Sequence, residues 1–493
     1  MIWLIIAIFA AWGIVLYIAK KKGEKYGFDL MGPLLMWKTE KGKKFIDRIS
    51  RKRIWKHYGN AAIIICIVAM FFTTLLIIWN VIIAFSIPPE AAPSPRLILG
   101  IPGINPIIPI GYGILALAIA IIVHEFSHGI LARFGKIKVN SLGLLFLIFP
   151  VGAFVEPDEE ELKNTSRMKR SRVFAAGPAS NIILALICIL LLGFILAPLI
   201  TPKADGVIVA GDGYGLEKWG IITELNGVKI SDKKEFTNVT HILQPGKFYN
   251  ITLVYGENVT QKRFLHGIYV AAVVENSPAK NVLEVGSIIY RINDVLMGSR
   301  EGFFKFMNST HAGDEIIIEF YYNGSFFNKT VTLADKYDFI RIGENKGKGF
   351  LGVEAYGIQD IVVDANYFPK VYNPFKGRFL PYLALPFTGL SPPPKELANL
   401  YTPSPLFWKV YNILYWIFWL NFAIGTFNAL PSVPLDGGYI FKDGMSYVIS
   451  KFRVKRERAE KISAILTNAI SIIMFLCIFS IIIVPRLRGF ISF

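Results

Sequence analysis

Residues 121–128 read Ile121-Ile122-Val123-His124-Glu125-Phe126-Ser127-His128, inside a run of some two dozen mostly apolar residues from Gly111 to Phe134. Two imidazoles and a carboxylate are costly at membrane depth, so such a cluster is read first as a functional one. On a helix, His124 and His128 are four residues apart and share a face, where both can reach a single divalent ion. Glu125 sits about 100° further round, close enough to contact a water beside the metal without ligating it. The alternative is a set of side chains that only hydrogen-bond between helices. The spacing of the two histidines favours the metal.

Working outward, the setting is a membrane. Hydrophobic residues make up 53% of the 493, and mean hydropathy is +0.46, because several apolar runs reach spanning length. The net charge of +17 could point to nucleic acid, but its distribution does not. Between Lys20 and Lys56 there are 13 Lys/Arg against 4 Asp/Glu, and Lys451, Arg453, Lys455, Arg456 and Arg458 form a second cluster, both beside apolar runs. That is the pattern of loops held on the cytoplasmic face, near anionic headgroups. No aromatic-interleaved basic module accompanies the charge, so no nucleic-acid partner is expected. Cys66, Cys188 and Cys477 each fall in an apolar run without ligand-like spacing and read as packing residues.

The fold class expected is a polytopic α-helical membrane protein of about six spans, with an inserted extracytoplasmic β-rich region. Residues 1–60 form an N-terminal anchor, its apolar run at 2–19, followed by a basic cytoplasmic loop. Residues 61–202 form a membrane core. Its span from about Ala61 to Phe85 leads through a Pro-rich loop to the histidine span, whose metal site would lie toward the cytoplasmic side. The stretch Val139 to Val155 is broken by Gly143, Pro150 and Gly152, which suits a hairpin dipping into the bilayer and offering a strand edge to an extended peptide; a simple packing loop is the alternative. Phe174 to Leu199 then spans outward. Residues 406–493 complete the core with spans over Leu406 to Leu430 and Ile462 to Val484.

Between Lys203 and Lys336 the composition becomes that of a soluble β-rich region. Gly220 to Gly227 (GIITELNG) recurs as Gly286 to Asn293 (GSIIYRIN), and Pro245-Gly246 as Ala312-Gly313, a spacing near 66 residues. This looks like a tandem pair of PDZ domains, over 203–266 and 267–340, which could take peptide ligands. A strand and a Pro- and aromatic-rich connector follow over 341–405, and its part from Phe379 to Pro405 could lie along the outer interface. Six of the ten asparagines between Lys203 and Lys336 (Asn238, Asn250, Asn258, Asn308, Asn323 and Asn328) begin N-x-[ST] sequons, which favours an exported region.

A catalytic zinc needs three protein ligands and an open position. The span beginning at Trp408 ends in NALPSVPLDGG, Asn428 to Gly438, and topology brings Asp436 to the depth of the two histidines. The chain here resembles the site-two protease family of intramembrane zinc metalloproteases, on HEFSHG at His124 to Gly129, GPASN at Gly177 to Asn181 and NALPSVPLDGG. The resemblance implies one catalytic Zn²⁺ held by His124, His128 and Asp436, with Glu125 as general base. It matches Asn181 and Asn428 to motif asparagines, donors to a substrate backbone or oxyanion unless they serve helix packing. The implied activity is hydrolysis of peptide bonds within or next to transmembrane helices of membrane-protein substrates. Two other readings are a zinc protease with a glutamate as third ligand, and a membrane-anchored PDZ scaffold with a structural metal.

Overall fold

The structure is a computed structural model describing residues 2–39, 41–97, 100–147, 149–403 and 405–488. It divides into a membrane unit, residues 1–192 with 410–493, and a β-rich unit, 193–409. Helices α1 (Ile2–Lys22), α2 (Ile54–Ala84), α3 (Ile110–Phe134) and α4 (Arg167–Leu190) form the first part of the membrane unit. Helices α5 (Pro405–Asn428), α6 (Asp436–Lys451) and α7 (Arg456–Arg488) return the chain to it. Among the described residues, five helical stretches are long and apolar enough to cross a membrane: Ile54–Ala84, Ile110–Phe134, Arg167–Leu199, Leu406–Asn428 and Arg456–Leu487. The run read as an N-terminal anchor is helical too, as α1.

Small side chains let these helices approach closely. Ala62, Cys66, Ala175, Ala179 and Ala429 share one buried cluster with Ile440, the small-residue packing that membrane interiors favour because dispersion, not hydrophobicity, holds helices together there. A Cβ on Gly425 of α5 would lie 2.9 Å from the carbonyl oxygen of Pro178 in α4, so only a glycine permits that crossing. All three cysteines are free thiols.

The segment after α3 forms two antiparallel strands, β3 (Val139–Leu147) and β4 (Phe149–Pro157). Two earlier strands, β1 (Phe28–Met31) and β2 (Leu34–Lys38), extend the hairpin into a four-stranded sheet in the order β1-β2-β3-β4. The basic loop therefore contributes structure that its charge pattern conceals. β4 is left as an edge, with its outer backbone groups unpaired by the sheet.

The β-rich unit carries two sheets of matching topology. β5 (Val207–Val209), β6 (Ile221–Leu225), β7 (Phe248–Tyr255) and β8 (Asn258–Leu265) build the first. β9 (Ile268–Val273), β10 (Ile288–Ile292), β11 (Glu315–Tyr322) and β12 (Ser325–Thr332) build the second. Each gains a late strand: β13 (Val353–Tyr356) pairs with β9, and β14 (Val362–Asp364) pairs with β5. The strand orders are β8-β7-β6-β5-β14 and β12-β11-β10-β9-β13. Both late strands come from beyond residue 340, outside the intervals 203–266 and 267–340. A three-residue strand pairing about 150 positions away carries too little local pattern to be read from sequence. Each repeat also has a capped helix, Lys233–Ile242 after Asp232 and Arg300–Asn308 after Ser299. The repeats share apolar contacts, since Ile288, Tyr290 and Tyr321 of the second pack into the core of the first.

Candidate metal centre

Helix α3 starts after Pro109 and ends at Gly135, and its regular turn sets His124 above His128 with ring centroids 4.8 Å apart. Both are buried. The Nδ1–H of His128 donates to the Val173 carbonyl at 2.7 Å. A carbonyl can only accept, so the proton sits on Nδ1 and the Nε2 lone pair faces inward, the arrangement a metal-binding imidazole requires.

Asp436 reaches the same point from the far end of the chain. It is the first residue of α6, where the helix N-terminus favours a carboxylate. The glycine pair behind it explains how it gets there. A Cβ on Gly437 would lie 2.1 Å from the Ala429 carbonyl oxygen, and one on Gly438 2.5 Å from the Ser432 carbonyl carbon. Without side chains at 437 and 438 the helix start lies directly on the Asn428–Leu435 return loop. Ser471 on α7 fixes that loop by accepting the Val433 N–H at 2.8 Å.

Asp436 Oδ2 lies 3.1 Å from His124 Nε2 and 3.3 Å from His128 Nε2. Ligands bonded at 2.0–2.1 Å in a tetrahedral shell sit about 3.3 Å from one another, so both distances to Asp436 suit a zinc-sized ion, and all three donor atoms lie within 4.8 Å of one another. A second observation points the same way. A Cβ on Gly177 of α4 would fall 2.4 Å from His128 Nε2 and 2.6 Å from His124 Nε2, so the glycine keeps open the space that the two nitrogens face. Ser180 holds this turn of α4, donating to the Gly177 carbonyl at 2.7 Å, and Tyr58 of α2 donates to the Ala176 carbonyl at 2.9 Å.

Glu125, half-buried beside the cluster, accepts the backbone N–H of Val155 on β4 at 3.2 Å through Oε2. The strand comes this close because residue 129 is glycine; a Cβ there would already be 3.0 Å from Val155 and Ile46. Neither asparagine is hydrogen-bonded to His124, His128 or Asp436 among the described residues. The Asn428 amide donates to the Ile424 carbonyl of its own helix at 3.1 Å. Asn181 is fully buried, and neither amide atom has a hydrogen-bond partner among the described residues. The sequence reading did not single out Gly177, the Val173 carbonyl or the Val155 N–H. The glycine stands in the GPASN motif; the two backbone groups leave no sequence signal.

Comparison with known proteins places this geometry in context. Residues 112–476 match the profile described as peptidase family M50. An uncharacterized protein of Methanocaldococcus jannaschii is 34% identical over 256 residues, covering 51% of this chain and 68% of its own. The regulator of sigma E protease of Haemophilus influenzae is 22% identical over 316 residues, covering 50% of this chain and 66% of its own. The PDZ domain of an SdrC-like protein from Listeria monocytogenes aligns over 20% of this chain and 95% of its own at 22% identity, with a TM-score of 0.17.

Proposed function

The chain belongs to peptidase family M50, and from that premise we propose that it is an intramembrane zinc metalloprotease of the site-two type, cutting peptide bonds within or next to substrate transmembrane helices. The observation that carries the reading is the convergence of His124 and His128 with Asp436, 312 positions away from His124, in apolar surroundings. These three side chains would hold the ion. When bound, zinc acidifies water toward neutral pH and polarises a peptide carbonyl.

The rest of the chemistry belongs to this chain's own residues. Glu125 acts as general base and then general acid. With Oε2 held by the Val155 N–H, its Oε1 is free to take the proton of the attacking water and later return it to the leaving nitrogen. A substrate helix must unwind before its carbonyls can react, because they are already hydrogen-bonded. Beyond Val155, whose N–H Glu125 accepts, the edge of β4 receives the unwound segment by strand addition, which brings it alongside Glu125. Substrates with Gly, Pro or Asn near the cut unwind most readily. The Asn181 amide, buried without a hydrogen-bond partner among the described residues, would donate to the substrate backbone once a substrate enters.

The β-rich repeats act as extracytoplasmic PDZ-like modules, and the active site lies toward the cytoplasmic side, as the charge distribution and the sequons favour. The second repeat takes the peptide. Its groove runs between the Arg300–Asn308 helix and residues 349–353, lined by Phe303, Phe304 and Met307 with Lys336 and Lys348 at one end, which suits an apolar peptide ending in a carboxylate. In the first repeat the chain's own side chains bridge the equivalent gap: Lys233 Nζ donates to the Val362 carbonyl and Gln359 to Thr240 Oγ1, both at 2.8 Å. The pair would select substrates already trimmed on the outer side.

The test is cleavage of a model membrane-spanning peptide by the purified protein in vesicles, with cut sites read by mass spectrometry. Cleavage inside or beside the span, abolished by chelator and by Glu125→Gln, supports the proposal. Bound zinc without any cleavage by the wild type would leave only a scaffold with a structural metal, and a Glu125→Gln protein that cleaves at the wild-type rate would remove Glu125 as the base.

A further inference from the structure

The segment from Asn366 to Leu390 is apolar on two opposite sides. On one side Tyr372, Tyr382 and Leu385 are buried in the β-rich unit, and Tyr372 donates to the Leu390 carbonyl at 2.9 Å. On the other, Phe375 is 49%, Leu380 73% and Phe387 59% exposed. The whole run Phe375-Lys376-Gly377-Arg378-Phe379-Leu380-Pro381 is exposed. Between Ala365 and Lys395 the chain has four cations, Lys370, Lys376, Arg378 and Lys395, and no Asp or Glu. Large apolar side chains set among unopposed cations mark a surface that meets something apolar edged with negative charge.

What that is follows from where the segment is fastened. Near its end the apolar stretch Arg167–Leu199 passes through a π-helical turn over Leu191–Leu196 and a last 3-10 turn over Ala197–Leu199, which free carbonyls from the ordinary ladder. The Gly193 carbonyl accepts from buried Asn373 at 3.1 Å, and the Asn373 Oδ1 in turn accepts the Phe375 and Lys376 backbone N–H groups at 2.9 and 3.1 Å. The Phe375 ring stacks on Phe194 with centroids 4.7 Å apart. It fits only because residue 193 is glycine; a Cβ there would lie 2.3 Å from that ring. The exposed run is thus fastened to Gly193 and Phe194, which belong to the last turns of the long apolar stretch Arg167–Leu199.

We propose that residues 366–390 form an in-plane membrane anchor, in which Phe375, Leu380 and Phe387 enter the interfacial layer of the bilayer beside the Arg167–Leu199 span while Lys376 and Arg378 meet anionic headgroups. Side chains of this kind sit ~5–10 Å into the headgroup–acyl boundary, and basic residues near the surface add attraction to anionic lipid. The anchor ties the β-rich repeats to the membrane plane through a second attachment besides the helix itself. It is independent of the metal and of proteolysis.

The experiment uses the full chain in lipid nanodiscs, in a background with Cys66, Cys188 and Cys477 changed to serine. A single cysteine at position 380, and separately at 387, carries an environment-sensitive fluorophore; position 323, in an exposed turn, serves as the reference. The anchor predicts blue-shifted emission at 380 and 387, loss of fluorescence with lipids spin-labelled near the headgroup, and protection from iodide, with the opposite at 323. In anionic discs K376E/R378E should reduce the lipid quenching. Emission at 380 and 387 that iodide quenches and spin-labelled lipid does not would overturn the proposal. So would a blue shift without lipid quenching, which would mean that protein, a second copy or another chain, covers this face.

Discussion

Replacing Gly177 with alanine should abolish zinc binding while leaving the fold in place. The added methyl would stand 2.4 Å from His128 Nε2 and 2.6 Å from His124 Nε2, where ordinary contact begins near 3.4 Å. Each ring would therefore have to withdraw by ~1 Å, whereas a zinc site tolerates deviations of about 0.2 Å in its bond lengths. His128 has little freedom to give way, since Val173 holds its other nitrogen. Overpacking of this kind destabilises by about 1–3 kcal/mol, which a domain can survive. Disturbing the support of a metal-binding imidazole alone lowers affinity about 10–100-fold; filling the ion's own space should exceed that. The assay is bound zinc per chain after equilibration with a graded zinc buffer, together with the thermal midpoint. Gly111→Ala in the same membrane unit is the control, because nothing lies within 4 Å of a Cβ there. A Gly177→Ala protein that binds zinc as tightly as the wild type would refute the assignment of this space to the metal.

Glu125→Gln should keep its zinc and lose about 10²–10⁴-fold in hydrolysis, read by metal analysis and peptide cleavage on the same preparation. Half-buried Arg170 donates through Nε to buried Asp443 Oδ2 at 2.8 Å. Arg170→Met alone would strand the carboxylate and lower stability by about 1–3 kcal/mol, less than for a fully buried pair because solvent reaches Arg170, while Arg170→Met with Asp443→Leu should recover most of it; thermal unfolding in detergent distinguishes the two. Burial, with His241 nearby, holds the His266 imidazole down at about 4 against an ordinary 6.5. The unfolded chain therefore binds the extra proton between those values. The stability of the β-rich unit should be full above about pH 6.5 and fall by roughly 3 kcal/mol as pH drops toward 4. Hydrogen exchange across that range should show the loss, and His266→Gln should flatten it.

The candidate centre was legible where chemistry and period coincide. His124 and His128 declare themselves by a four-residue spacing in an apolar helix, and Asp436 by its cost at that depth. Pairing the two segments needed three motifs in order. The parts that stayed hidden depend on long-range backbone contacts. β1 and β2 lie in a segment whose lysines and arginines outweigh its alternation, and β2 pairs with a hairpin more than 100 positions on, Leu35 opposite Phe146. β14 is three residues long and pairs with β5 across the entire second repeat. The Val173 carbonyl and the Val155 N–H belong to backbone that any sequence supplies. Gly177 and the Gly437-Gly438 pair lay between these cases: visible as motif letters, with a reason that only the distances to His124, His128 and Ala429 provide.

Side chains from α3 and the start of α6 would share a single ion. X-ray absorption on the zinc-loaded protein measures that shell directly. The expected result is one zinc per chain, nitrogen and oxygen neighbours at about 2.0–2.2 Å, no sulfur, and loss of the ion in Asp436→Ala. A sulfur shell near 2.3 Å, or an Asp436→Ala protein that keeps its full complement of zinc, would contradict it.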